Sequence, residues 1–429
     1  MTKTIYRFDR RGFLKAGAAA ASTAAVFGCA PAAQSQRTIK IGYVSPQTGP
    51  LAAMAEADQF TIDAFMNQVG EGLSIEGRTY PVEILVRDSQ SNPNRASEVA
   101  NQLILSDEID LMVVASTPDN VNPVSDACEV NGVPCLSTMA PWQSWFMTRG
   151  GDPAVGFDWT YHYFWGTEDI VSVFTNMWNK LETNRQVGML FPNDADGNAL
   201  IDPNVGFPPG LTQAGYMMTD PGRYQNLSDD FTAYISAFQQ SGCEIVTGVP
   251  LPPDFTTFWT QAKQQGFNPK CVSVGKATLY PANVETLGAA GHNLSSEVWW
   301  TPTHPYVSSL TGQSGAELAA AYTEATGRQW TQPIGFIHSL FEIAADIMTR
   351  AGGPGDYAVT RDAMAATNLN TLVGPISWGA GPVKNVTKTP LVGGQWRLTE
   401  GARFPYDIVV VSNETAPEVP LGGDMEALA

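Results

Sequence analysis

From residue 38 onward, short apolar runs alternate with stretches whose apolar positions recur at helical spacing, and this alternation is the strongest limit on the fold. Residues 38–44 (TIKIGYV), 82–86 (VEILV), 111–115 (LMVVA) and 133–137 (VPCLS) read as strands. Between them Ala57, Phe60, Ala64 and Phe65 share one helical face, and residues 94–105 and 123–130 also read as helices. Strands that are apolar on both faces and separated by helices call for a parallel sheet covered on both sides. The rhythm restarts after residue 186. Strands are expected at 186–191, 244–249 and 270–274, helices at 231–240 and 255–265, and a Gly/Pro-rich insertion at 194–210. Two such units make two doubly wound α/β lobes facing each other across a cleft. Ligands of these sheets bind beyond the carboxyl ends of the strands, where backbone groups at helix starts are free. The loops after residues 44, 115, 137, 191, 249 and 274 are therefore the candidate site.

The N-terminus carries an export signal. Asp9-Arg10-Arg11-Gly12-Phe13-Leu14-Lys15 precedes an apolar run over 16–27, too short to span a bilayer and of the length of a cleavable signal. The paired arginines resemble a twin-arginine signal, so residues 1–29 are set apart from the fold. Val26-Phe27-Gly28-Cys29 resembles a lipidation site, with a bulky Phe27 where a small residue is usual. Ala30-Pro31-Ala32 offers a competing cut that would release a soluble protein, and both readings stay open. Residues 1–28 hold five Lys/Arg and one Asp, so their removal takes the net charge from −18 to −22. That acidity argues against nucleic acid or an anionic membrane surface as partner. Four cysteines follow Cys29, an even number that permits disulfides after export. Cys243 with Cys271, on neighbouring strands, and Cys128 with Cys135, across a turn, are the expected pairs.

Catalytic groupings are not found in the sequence. It has no Gly-x-Ser-x-Gly and no His-Glu-x-x-His, and Gly275-Lys276 lacks the flanking residues of a phosphate loop. The four histidines (His162, His292, His304, His338) are far apart, and no metal spacing emerges. Asp194-Ala195-Asp196-Gly197-Asn198 departs from a calcium loop in its early glycine and in Val205. The chain is expected to be no enzyme and to need no cofactor.

Several stretches together resemble the leucine/isoleucine/valine-binding family of periplasmic binding proteins (type I fold). They are residues 39–50 (IKIGYVSPQTGP), Asp88 with the following Asn92-Pro93-Asn94-Arg95-Ala96, 113–123 with Ser125-Asp126, 132–137 (GVPCLS) and 373–378 (VGPISW). The resemblance runs over nearly the whole chain after the signal. It implies a monomeric extracytoplasmic receptor that closes on a small solute and delivers it to the permease subunits of an ABC importer. A ligand-sensing module of the same fold and an exported hydrolase are the alternatives. Three crossovers are implied near 156–161, 301–306 and 374–377. Lobe one would then span 38–158 and 303–375, and lobe two 159–302 and 376–429.

In the family, lobe one holds the ligand's carboxylate with backbone N–H groups and hydroxyls from two loops. Here those loops offer Ser116, Thr117, Thr138, Met139, Ala140 and Trp142, with Pro118 and Pro141 removing donors. The same hydroxyls could serve as ordinary helix caps. Nine aromatics between Trp142 and Trp165 suggest an apolar pocket wall. Lobe two usually supplies an acid for an α-ammonium, yet the loop after 271–274 offers Lys276. A lysine there would attract a carboxylate, pointing to an organic acid or amide, unless Asp194, Asp196 or Asp254 replaces the missing acid. Met54 and Phe336 complete the candidate ligand set.

Overall fold

The inner strands of both sheets are the expected apolar runs, whose side chains are buried on each face because helices pack above and below. The computed structural model describes residues 37–428; the export signal at 1–29, with Cys29, lies outside the described residues. In the first sheet the parallel strands run Val386–Thr387, Thr160–Tyr163, Cys135–Thr138, Leu111–Ala115, Ile39–Ser45 and Val82–Asp88. In the second, Gln186–Pro192, Ile245–Gly248, Cys271–Val274 and Ser295–Val298 run parallel, with Met217–Thr219 and Arg223–Tyr224 sharing the outer edge. Val392–Leu398 and Tyr406–Ser412 extend it antiparallel. The first strand of each unit lies inside the second, so each sheet reverses its strand order beside its first strand, and the two crevices so formed face one cleft. The result is a two-lobed type I periplasmic binding fold.

Of the passages between lobes, the first lies a few residues later than expected and the third lies elsewhere. Residues 160–163 pair with Cys135–Thr138, so the first passage follows Tyr163 and leads into the helix Thr167–Trp178, which packs on the second sheet. The second follows Val298, and the long helix Pro333–Arg350 lies back on the first sheet. The third is not at 374–377. There Gly374, at φ +107°, turns the chain into a hairpin with Asn368–Thr371. Val386–Thr387 then rejoins the first sheet, so the third passage lies between Thr387 and Val392.

Neither expected disulfide forms, and Cys128, Cys135, Cys243 and Cys271 are buried free thiols. Cys271 is in register with Ile245, leaving Cys243 two residues upstream. At ~3.3 Å per residue and ~4.8 Å between strands, the two α-carbons stand about 8 Å apart, beyond disulfide reach. Cys128 lies beside Cys135, and burial pushes its thiol well above the ordinary range.

Candidate functional site

The loops at the strand ends meet between the lobes around two connected spaces. The outer one, about 280 Å³, is lined by Thr117 and Asp119 from lobe one and by Asn193, Asp194, Asn226 and Lys276 from lobe two. The inner chamber has room for about 20 Å³, that of one water. Its walls include Met54, Met139, Phe164, Trp165, Leu279 and Trp299, with Thr117, Asp196, Lys276 and Glu297 as its polar members. Thr117 and Lys276 belong to both spaces.

Local backbone geometry presents these groups. Met139 (φ +71°), directly after the strand Cys135–Thr138, and Lys276 (φ +52°), two residues after the strand Cys271–Val274, both adopt the left-handed region. Bulky residues pay strain for that conformation, and such strain gathers at functional sites. Asp194 caps the helix Ala195–Leu200 by accepting from the Gly197 amide at 2.7 Å. A Cβ on Gly197 would stand 2.1 Å from the Pro192 carbonyl, so only glycine lets that helix start fold so tightly against its strand.

Lys276 is the electrostatic centre. Its Nζ lies 2.9 Å from Asp196 and 3.3 Å from Asp194, with all three side chains less than a tenth exposed. Asp119 faces the trio from lobe one. Burial would raise Asp194, but Lys276, the Gly197 amide and Asn226 hold it below the usual carboxylate range. Burial dominates at Asp196, which is raised despite Lys276, and at Asp119, pushed up to about 6. Lys276, expected to attract a ligand carboxylate, is thus already paired with two of the aspartates that the sequence offered as replacement acids.

The remaining expected contacts separate. Ser116 donates to the Met54 sulfur at 3.4 Å. Thr138 is spent on the Tyr163 carbonyl at 2.6 Å, and the Ala140 carbonyl accepts from His162 at 2.7 Å. Trp142 donates to Glu168 and lines an outer groove beside the helix Thr167–Trp178. Phe336 lies behind the chamber, packed edge-on to Phe164 and Trp299. Asp254 lies off both spaces at the start of the helix Pro252–Gln264, pushed up to about 6 by burial. Of the nine clustered aromatics, Phe164 and Trp165 reach the chamber; Trp145, Phe146 and Phe157 pack against one another in lobe one, with Arg149 over the Trp145 and Phe157 rings.

Thr117 begins the helix Pro118–Asn131, yet its hydroxyl makes no capping bond. Among the described residues, Thr117 Oγ1, Asp196 Oδ1, Trp165 Nε1 and Trp299 Nε1 are buried without a hydrogen-bond partner of ordinary geometry. Sequence reasoning offered Phe164 and Trp165 only as members of an aromatic wall and did not name Asp119, Glu297, Leu279 or Trp299 as contacts. Glu297, a charged residue inside a buried strand (SSEV), was a signal that could have been read. Among the described residues no group of three or more His, Cys, Asp or Glu stands ready to hold a metal. His162 and His304 are pushed down to about 3, and His338 to about 4, by burial in the core.

Comparison with known proteins agrees with this architecture. The Leu/Ile/Val-binding protein homolog 3 of Brucella melitensis is 26% identical over 229 residues, covering 52% of this chain and 56% of that protein. The match thus spans about half the length of that curated relative. A leucine-binding protein from Thermotoga maritima superposes with a TM-score of 0.71 at 16% identity, over 88% of this chain and 99% of its own. A solute-binding protein from R. palustris, in complex with 4-hydroxybenzoate, gives 0.71 at 15%, over 89% and 98%. At such identities the likeness is one of fold. The sequence profile of the periplasmic binding protein family matches residues 38–401, and the chain belongs to that family.

Proposed function

We propose that this chain is the extracytoplasmic solute receptor of an ABC importer, exported through its N-terminal signal and held at the membrane by Cys29 when that residue is lipidated. It closes its lobes on a small amine-bearing solute with an apolar body, an amino acid or its amide, and passes it to a permease. The observation that carries this reading is the set of unpartnered buried polar atoms contributed by both lobes to one chamber. A buried polar group without a partner costs about 1–3 kcal/mol, so a solute that satisfies it is bound selectively. Asp196 Oδ1 suits an ammonium or amide N–H, while the Trp165 indole suits a carbonyl or carboxylate oxygen. Met54, Met139, Phe164 and Leu279 suit an apolar side chain once the chamber, which holds one water as it stands, widens to admit it. Four acids (Asp119, Asp194, Asp196, Glu297) around one lysine favour a solute that brings positive charge.

A thermal-shift screen tests the reading. A solute at a hundred times its Kd adds about 2.7 kcal/mol of stability. Leucine, phenylalanine and their amides are expected to raise the melting temperature, and 4-hydroxybenzoate or 3-phenylpropionate is not. Response to the nitrogen-free acids alone would overturn the solute class.

A further inference from the structure

Glu297 is the one chamber acid without a cation. It lies on the strand Ser295–Val298, is 3% exposed, and shares the chamber lining with Asp196 and Trp299. The Ser296 hydroxyl donates to its Oε2 at 3.1 Å, and the Trp299 indole faces it. From the neighbouring loop Gly275 presses its backbone so close that a Cβ would stand 2.9 Å from Oε1. The ionisable groups facing Glu297 are Asp196, a like charge, and the buried Tyr280 hydroxyl, which also faces Glu56. Lys276 is committed to Asp194 and Asp196.

A buried carboxylate with no counter-charge takes up a proton rather than stay ionised. Burial holds Glu297 up to about 7, while Lys276 keeps the Asp194 side of the cluster charged. Neighbouring acids are thereby given different protonation states by their surroundings.

Resting on the solute class argued above, we propose that Glu297 carries a proton in the solute-free chamber and gives it to solvent when the solute's ammonium enters, so that capture of a cationic head group releases a proton. The balance is simple: a neutral carboxylic acid and an ammonium ion become a carboxylate–ammonium pair and one solvated proton. Affinity for an amine-bearing solute then falls as pH drops below 7, approaching about tenfold per pH unit for one coupled proton.

The test uses infrared difference spectra of the full protein at pH 6, with L-leucinamide as the cationic probe. Wild type is expected to show a protonated-carboxyl band that Glu297→Gln lacks and that saturating L-leucinamide removes. Melting temperatures supply a readout that needs no solute. Because the folded-state value of Glu297 is raised, wild type loses its contribution as pH rises from the unfolded value towards 7. The advantage of E297Q over wild type must therefore grow between pH 5 and 7.5. If E297Q does not fold, wild type carrying carboxyl-labelled glutamate gives the same band. Absence of the band, or a band indifferent to the probe, overturns the proposal. A lack of thermal response to every amino acid and amide instead overturns the solute class, and the two failures are distinguishable.

Discussion

Ser116, Thr117 and Thr138 stand at the ends of adjacent strands, and their hydroxyls have three different fates. Ser116 meets the sulfur of Met54, Thr138 bonds the Tyr163 carbonyl, and among the described residues Thr117 Oγ1 has no partner. Sequence could gather the three as one group because strand ends and helix starts are legible in composition. Which way each hydroxyl faces depends on the pleat and on the loop's φ angles, and no periodicity carries that. Their substitution separates them. Thr117→Val is expected to lower solute affinity about tenfold, or ~1.4 kcal/mol, and to leave stability within ~0.5 kcal/mol. Thr138→Val removes a donor from inside the sheet and is expected to cost ~1–2 kcal/mol of stability. Calorimetric titration with the tightest solute, alongside urea unfolding of both variants, checks this. A stability loss in T117V equal to that in T138V would return Thr117 to a structural role. Lys276 teaches the same lesson from the other side: its position was legible, but its ion pairs depend on Asp194 and Asp196, some eighty residues away in sequence.

The strands of both parallel cores were legible because each is a run of apolar residues bounded by turn residues. Strands without such a run were missed. Thr160–Tyr163 (TYHY) reads as an aromatic cluster, Ser295–Val298 (SSEV) as a polar stretch, and Val386–Thr387 is two residues long. All three border passages between lobes, which is why the first and third passages were misplaced. The third passage has its own fastening. Lys388, next to Val386–Thr387, pairs with Glu168 at 2.9 Å and Asp169 at 2.6 Å at the start of the helix Thr167–Trp178. Glu168 also accepts from Trp142 and Gln143 of lobe one. One lysine thus ties the first and third passages together beside the lobe-one helix Trp142–Phe146. The pair is partly exposed, so its worth in stability is at most about 1 kcal/mol. Its larger effect falls on hinge geometry. Lys388→Met is expected to unfold within about 1 kcal/mol of wild type and to enlarge the solute-free radius of gyration in small-angle scattering. An unchanged radius would mean that the pair fastens nothing.

The two lobes share one hydrophobic core where the passages cross. Tyr43, Leu111 and Leu136 of the first sheet and Val187, Met189 and Ile245 of the second belong to the same buried cluster. Phe164, Trp299 and Phe336 sit at its centre, with ring centroids 5.1–5.9 Å apart in edge-to-face packing. Two of these rings also line the chamber, so the core that joins the lobes is the back wall of the site. A shared core makes unfolding of one lobe expose surface on the other, and one cooperative transition is expected on heating. Phe336 tests the coupling without itself lining the chamber. Phe336→Ala removes a fully buried ring and is expected to cost ~3–5 kcal/mol. The loss should fall on the junction, so calorimetry is expected to resolve two endotherms in F336A where wild type shows one. A solute that bridges Thr117 of one lobe and Asp196 of the other should draw those endotherms together again, because binding then requires both lobes to be folded. Two endotherms already present in wild type would instead mean that the passages, and not the core, hold the lobes together.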